Sequence, residues 1–151
     1  MSDTMKSFKT NNALETIEVG KKIGNLLNPG DVCLLIGDLS AGKTTITKGI
    51  GMALGVKKVI NSPTFTIVKG YKGDKGPFYH LDLYRLNGVN NDFDLEEYME
   101  GDGVCVIEWP FQVSEILPKE YLRIDLERIS EEERKITISG IGRYQRIEEA
   151  L

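Results

Sequence analysis

Hydrophobic positions along this chain fall into two periods. Ala13, Ile17, Gly20, Gly24 and Leu27 recur at helical spacing with Leu14, Ile23 and Leu26 beside them, which predicts an amphipathic helix over 13–27. Asn12 stands where a side-chain cap is expected, and Asn28-Pro29-Gly30 breaks the pattern. Before the helix, Lys6 to Thr10 reads as a short strand; after it, Asp31 to Ile36 is a nearly continuous apolar run, the pattern of a strand covered on both faces. A second helix is predicted from Lys43 to Leu54, closed by Gly55 as a left-handed cap.

Farther on, Thr66–Tyr71 and Phe78–Tyr84 read as the arms of a β-hairpin. The turn predicted between them, 72–77, is longer than a minimal one, so its tip is expected to be mobile. Asp94-Leu95-Glu96-Glu97 places carboxylates at the cap and third positions of a short helix ending near Glu100, and Gly101-Asp102-Gly103 stops it. Val104–Ile107 is another buried strand. Tyr121–Ile129 and Lys135–Ile141 alternate as a closing pair around a turn at Ser130–Arg134. The order of strands, helices and hairpin predicts an α/β fold with a mixed parallel and antiparallel sheet flanked by helices, in one domain over 1–151.

Composition narrows the function classes. A chain of 151 residues fits one domain on a scale of ~100–200 residues each. Its formal charge of −4 argues against a generic basic surface for nucleic acid or anionic membrane, leaving only a local patch open. With 40% hydrophobic and 28% charged residues the chain is too apolar for intrinsic disorder. The longest apolar stretches, such as Val32–Ile36, are far shorter than the ~20 residues that cross a bilayer, and the N-terminus lacks the order of a signal peptide. A cytoplasmic protein is expected. Cys33 and Cys105 each sit inside an apolar run, as buried small side chains in a reducing compartment rather than a disulfide or metal pair.

The chemistry-bearing motif is Gly37-Asp38-Leu39-Ser40-Ala41-Gly42-Lys43-Thr44, a full G-x-x-x-x-G-K-[ST] phosphate loop lying between a predicted strand and a predicted helix. Its glycines permit the backbone angles that turn several N–H groups onto phosphates, and the helix N-terminus adds its positive end. Lys43 supplies a cation for the β- and γ-phosphates, and the Thr44 hydroxyl is a Mg²⁺ ligand. Val104–Glu108 has the form of a Walker B strand with Glu in place of the usual Asp; its alternative reading is a solvated acid at a strand end. In His80-Leu81-Asp82-Leu83-Tyr84, alternation puts His80 and Asp82 on one face. Asp82 is a candidate to position water or support Mg²⁺, whereas a lone His reads first as a packed residue. Ser62-Pro63-Thr64-Phe65-Thr66 follows the loop by about 20 residues, where nucleotide-sensing switches sit; spacing alone does not separate that from an ordinary Pro-containing turn.

Taken in order, residues 37–45, Ser-Pro-Thr-Phe-Thr at 62–66, His-Leu-Asp-Leu-Tyr-Arg-Leu at 80–86 and Ile-Glu-Trp-Pro at 107–110 resemble the signature of the bacterial TsaE (YjeE) family. The resemblance spans roughly Glu15 to Ile141, with one mild departure at Ser40, where the family often has Gly. It implies a P-loop ATPase that works with the TsaB and TsaD proteins in making threonylcarbamoyladenosine in tRNA, hydrolysis resetting the complex and tRNA reached only through it. Carried over by motif, Lys43 would bind phosphate, residues Gly37 to Thr45 would cradle it, Thr44 and Glu108 would hold Mg²⁺, and Thr64 would belong to the switch. Asp82 would assist hydrolysis, Trp109 would lie beside the nucleotide or a partner surface, and Arg134 would contact the nucleotide. Two other readings share the phosphate loop: a small-molecule kinase, which generally needs a substrate insert and an arginine-bearing lid for which no segment is long enough, and an ATP-dependent binding switch with incidental hydrolysis. No Asn-Lys-x-Asp guanine-reading motif occurs. With no arginine placed as a finger, the isolated chain is expected to be a weak ATPase.

Overall fold

The computed structural model describes residues 5–38, 41–60, 68–83, 95–109 and 117–151. The chain runs β1 (Lys6–Thr10), α1 (Ala13–Leu26), β2 (Val32–Ile36), α2 (Lys43–Ala53), β3 (Val68–Gly73), β4 (Gly76–Asp82), α3 (Leu95–Met99), β5 (Val104–Glu108), β6 (Leu122–Arg128), β7 (Arg134–Gly140), a 3-10 turn (Gly142–Tyr144) and α4 (Gln145–Ala150). The strands form one sheet in the order β1-β7-β6-β2-β5-β4-β3. Its centre is parallel: β2 lies between β5 and β6, and β4 runs parallel to β5. Antiparallel strands finish both edges, β3 beside β4 on one side and β7 then β1 beyond β6 on the other. The expected mixed α/β architecture is therefore what forms.

The apolar runs explain this order. All five residues of β5 and the first four of β2 are buried, as a parallel centre covered on both faces requires. The larger core joins Val19 and Ile23 of α1, Ile46 and Ile50 of α2 and Ile147 of α4 to Leu35, Phe78, Val106 and Ile124 of the sheet. The opposite face carries a smaller core with Leu34, Leu81, Cys105, Ile107 and Met99. Alternation along β4 and β5 thus sends Phe78, His80 and Asp82, and likewise Val104, Val106 and Glu108, toward the side that α2 covers.

Helix α1 begins at the expected cap: the Asn12 side chain accepts from the Glu15 N–H at 2.9 Å. Glycines at helical spacing let α1 approach α2 closely. A Cβ on Gly49 of α2 would stand 2.1 Å from the Ile17 carbonyl oxygen of α1, and one on Gly20 would stand 2.3 Å from the Ile46 carbonyl oxygen. The two helices therefore meet backbone to backbone.

One expectation needs correcting. The hairpin turn is not long: β3 continues to Gly73 and β4 starts at Gly76, leaving Asp74-Lys75 as a two-residue connection. The Asp74 N–H donates to the Leu54 carbonyl at 2.8 Å, fastening the turn to the end of α2. After β7 the 3-10 turn and α4 follow, a stretch the sequence pattern leaves unassigned. Tyr144 is fully buried there and accepts from the Val32 N–H at 2.8 Å. The cap predicted at Asp94 lies outside the described residues. No helix among the described residues is long and apolar enough to cross a membrane.

Candidate functional site

The phosphate loop leaves the C-terminal end of β2 and delivers the chain to α2, as the motif requires. Gly42 sits at φ +99° and caps α2 in the left-handed region, where a side chain is strained. Gly37 has a different reason from the one expected. It needs no left-handed angle; a Cβ there would stand 2.6 Å from the Leu126 carbonyl oxygen of β6. Asp38 is exposed, and its carbonyl accepts from the Ala41 N–H at 3.0 Å. Thr44 and Thr45 are half-buried in the first turn of α2. Leu39 and Ser40 lie outside the described residues.

Lys43 is buried, 4% exposed, and its Nζ donates to the Gly37 carbonyl at 2.5 Å. The same Nζ stands 3.9 Å from the centre of the Trp109 ring, within cation–π range. Burial pulls the Lys43 amine below its ordinary range, while Glu108, Asp82 and Asp38 oppose that shift by favouring the charged form. Trp109 is, among the described residues, the non-glycine residue with positive φ, at 57°. Such a conformation costs of order 1–3 kcal/mol and is held only where surroundings dictate it.

The carboxylates come from the two strands next to β2 on its other side. Asp82, last in β4, is the register partner of Glu108, last in β5, and Glu108 in turn pairs with Leu35 of β2. The Leu83 N–H donates to the Glu108 carbonyl at 3.1 Å, closing that end of the ladder. Three parallel strands thus end side by side with the loop, Asp82 and Glu108 at their C-terminal ends, where ligands bind in open α/β sheets. Glu108 is 3% exposed and Asp82 half-buried. The Oε2 of Glu108 lies 2.5 Å from Nε2 of His80, which is fully buried.

The donors present are hard oxygens: the Thr44 hydroxyl and the Glu108 and Asp82 carboxylates. No three His, Cys, Asp or Glu side chains among the described residues gather into a protein-only metal site. That combination fits Mg²⁺, which is held by one or two carboxylates together with waters and substrate phosphates. Calcium-like or zinc-like cages would need more.

Arg134, first in β7, touches the loop from the other side. Its Nε donates to the Ala41 carbonyl at 3.1 Å and its Nη1 to the carbonyls of Ser130, Glu131 and Glu133. It ties the β6–β7 turn to the loop backbone. Between them a cavity of about 280 Å³ opens, lined by Thr16, Gly42, Thr45, Glu131, Glu132 and Arg134 among others.

Of the residues singled out from the sequence, Lys43, Asp82, Glu108 and Trp109 are brought together, Arg134 and Thr45 flank the loop on its far side, and Thr64 lies outside the described residues. Sequence reasoning gave His80 a packing role; its pairing with Glu108 depends on two strands that are 28 residues apart. The signal was present in the alternation that placed His80 and Asp82 on one face. Cys33 and Cys105 are both buried and face opposite cores, with burial pushing Cys105 up to about 12 and Cys33 higher still.

The chain is similar to known proteins over most of its length. The family model described as threonylcarbamoyl adenosine biosynthesis protein TsaE matches residues 10–136. A Bacillus subtilis protein named tRNA threonylcarbamoyladenosine biosynthesis protein TsaE is 44% identical over 145 residues, covering 95% of this chain and 92% of the relative. A protein of the same name from Treponema pallidum is 40% identical over 129 residues, covering 84% and 95%. The crystal structure of Bacillus subtilis YdiB superposes with a TM-score of 0.81 at 40% identity, covering 97% of this chain and 94% of that one.

Proposed function

The chain belongs to the TsaE family, and from that premise we propose that it is a Mg²⁺-dependent ATPase serving threonylcarbamoyladenosine formation in tRNA. The observation that carries this reading is the convergence of a complete phosphate loop with two in-register carboxylates at the ends of β4 and β5. A binding module would need only the loop. Hydrolysis also needs charge placed to hold the metal and to orient water.

In this reading the loop N–H groups and Lys43 bind the β- and γ-phosphates. Lys43 exchanges its bond to the Gly37 carbonyl and its place over Trp109 for phosphate oxygens. Thr44 and Glu108 hold Mg²⁺, which when bound neutralises charge developing on the phosphates. Asp82, opposite Glu108, orients the attacking water. The cavity beyond Thr45 receives the nucleoside, because a triphosphate laid along the loop toward the start of α2 leads past that residue; Arg134 fixes one wall. No arginine donor stands free beside Lys43 among the described residues, Arg134 being committed to four carbonyls, which supports slow turnover by the chain alone.

Partner proteins of the TsaB and TsaD type are the expected recipients of the hydrolysis cycle, and tRNA is reached through them. The two buried thiols suit the reducing cytoplasm where such RNA chemistry occurs. The test is a multiple-turnover tRNA modification assay reconstituted with those partners. Lys43→Ala, Asp82→Ala and Glu108→Ala should each abolish ATP hydrolysis and leave at most a single round of modification. Undiminished multiple turnover in the hydrolysis-dead variants would refute the energy-coupling role, and phosphate appearing on a metabolite instead of free in solution would favour the kinase reading.

A further inference from the structure

Among the described buried side chains, one nitrogen has no hydrogen-bonding partner: Nδ1 of His80. This is the chain's single histidine, fully buried in β4, with its other nitrogen 2.5 Å from Oε2 of Glu108. The orphan bears on which ring nitrogen carries the proton. If Nε2–H donates to the carboxylate, Nδ1 is a bare acceptor; the opposite tautomer would bury an unpaired N–H and would set a lone pair against Glu108. Nε2–H of His80 is therefore the donor to the Glu108 carboxylate.

The position of Glu108 explains why a donor is needed. It stands directly across from Asp82, so two like charges share one level of the sheet, an arrangement that repels. It also replaces the Asp usual at the end of such strands and has one more rotatable bond, so its head is less fixed by the backbone. His80, one pleat below Asp82 on the same face of β4, reaches diagonally to Glu108 and removes that freedom.

Building on the Mg²⁺-ATP reading above, we propose that His80 is a positioning residue: its Nε2–H holds one oxygen of Glu108 and thereby reserves the other, Oε1, for Mg²⁺. His80 touches neither nucleotide nor metal. It acts as the carboxylate-orienting partner that metal sites place behind their ligands, whose loss typically weakens metal binding 10–100-fold.

The test uses the full chain with Mn²⁺ as the probe, following free Mn²⁺ by electron paramagnetic resonance in the presence of ADP. His80→Leu should weaken Mn²⁺ binding about 10–100-fold, while His80→Gln, whose amide N–H falls near the place of Nε2, should stay within about threefold of the unsubstituted chain. ADP binding in EDTA should be unchanged in both, which also verifies folding. In a Glu108→Ala background, His80→Leu should have no further effect. Equal Mn²⁺ affinity in folded His80→Leu, or an equal loss with and without Glu108, overturns the role of His80. A wild-type chain whose ADP binding draws in no Mn²⁺ overturns the Mg²⁺-nucleotide reading instead. Should His80→Leu not fold, the imidazole nitrogen-15 spectrum of the unsubstituted chain decides: one histidine needs no assignment, Nε2 protonation supports the proposal and Nδ1 protonation overturns it.

Discussion

Replacing Gly49 by alanine tests how the phosphate loop is held in place. A Cβ there would lie 2.1 Å from the Ile17 carbonyl oxygen and 3.0 Å from the Gly20 Cα, whereas ordinary contact begins at 3.4 Å, so α1 and α2 must part by about 1.3 Å. Alanine gains ~1 kcal/mol in helix propensity over glycine. Overpacking costs ~1–3 kcal/mol, and with rigid backbone on both sides the upper end applies. The net loss is then about 2 kcal/mol, or ~4–8 °C in Tm for a chain of this size. The assay is thermal unfolding followed by circular dichroism, with Asn25→Ala, exposed on α1, as the control for propensity alone. Gly20→Ala opens the same contact from the other side, so the double variant should lose less than the two single losses combined. Nucleotide affinity should fall as well, because the start of α2 carries Lys43. A Gly49→Ala chain at least as stable as the unsubstituted one would refute the close backbone contact.

Three further outcomes follow from individual contacts. Tyr144→Phe removes the acceptor for the buried Val32 N–H and should cost ~1–3 kcal/mol in urea unfolding; an unchanged midpoint would show that this N–H finds another partner. The chain has one tryptophan, stacked on Lys43, so ADP titration should change its fluorescence and Lys43→Ala should produce a comparable change without nucleotide; constant emission in both refutes the contact. The third outcome concerns pH. Because the folded state lowers the Lys43 amine from its ordinary value of 10.5, the unfolded chain binds the extra proton between the lowered value and 10.5. Stability attributable to Lys43 therefore rises with pH through that window, and below it the penalty is constant. Lys43→Met should remove this rise in unfolding measured at alkaline pH, and an identical pH slope would contradict it.

Much of this fold was legible because its strands are central and covered. The apolar runs at Val32–Ile36 and Val104–Ile107 lie in strands covered on both faces, so their hydrophobicity is uninterrupted, and the loop motif fixes the strand-to-helix transition between Ile36 and Lys43. The hairpin was misjudged at its tip because Lys72, Asp74 and Lys75 look like loop residues. What keeps them ordered is the bond from Asp74 to Leu54, a contact no local pattern encodes. Helix α4 escaped notice because six residues hold too little periodicity; Tyr144 and Ile147 hold it to the body of the protein. In the site, residue types announced Lys43, Glu108 and Asp82. The partnership of His80 with Glu108 did not show, since it arises from the register between β4 and β5.

That register carries a consequence for how the protein comes to be active. A slip of one residue between β4 and β5 would turn His80 and Asp82 to the opposite face, send Leu81 and Leu83 toward the phosphate loop, and leave Glu108 without its donor. The phosphate loop would survive such a slip, but the paired carboxylates would not. Correct pairing of β4 with β5 and the metal-holding half of the site are therefore acquired in one event during folding, and the metal-dependent part of nucleotide binding reports whether these strands have been assembled in register.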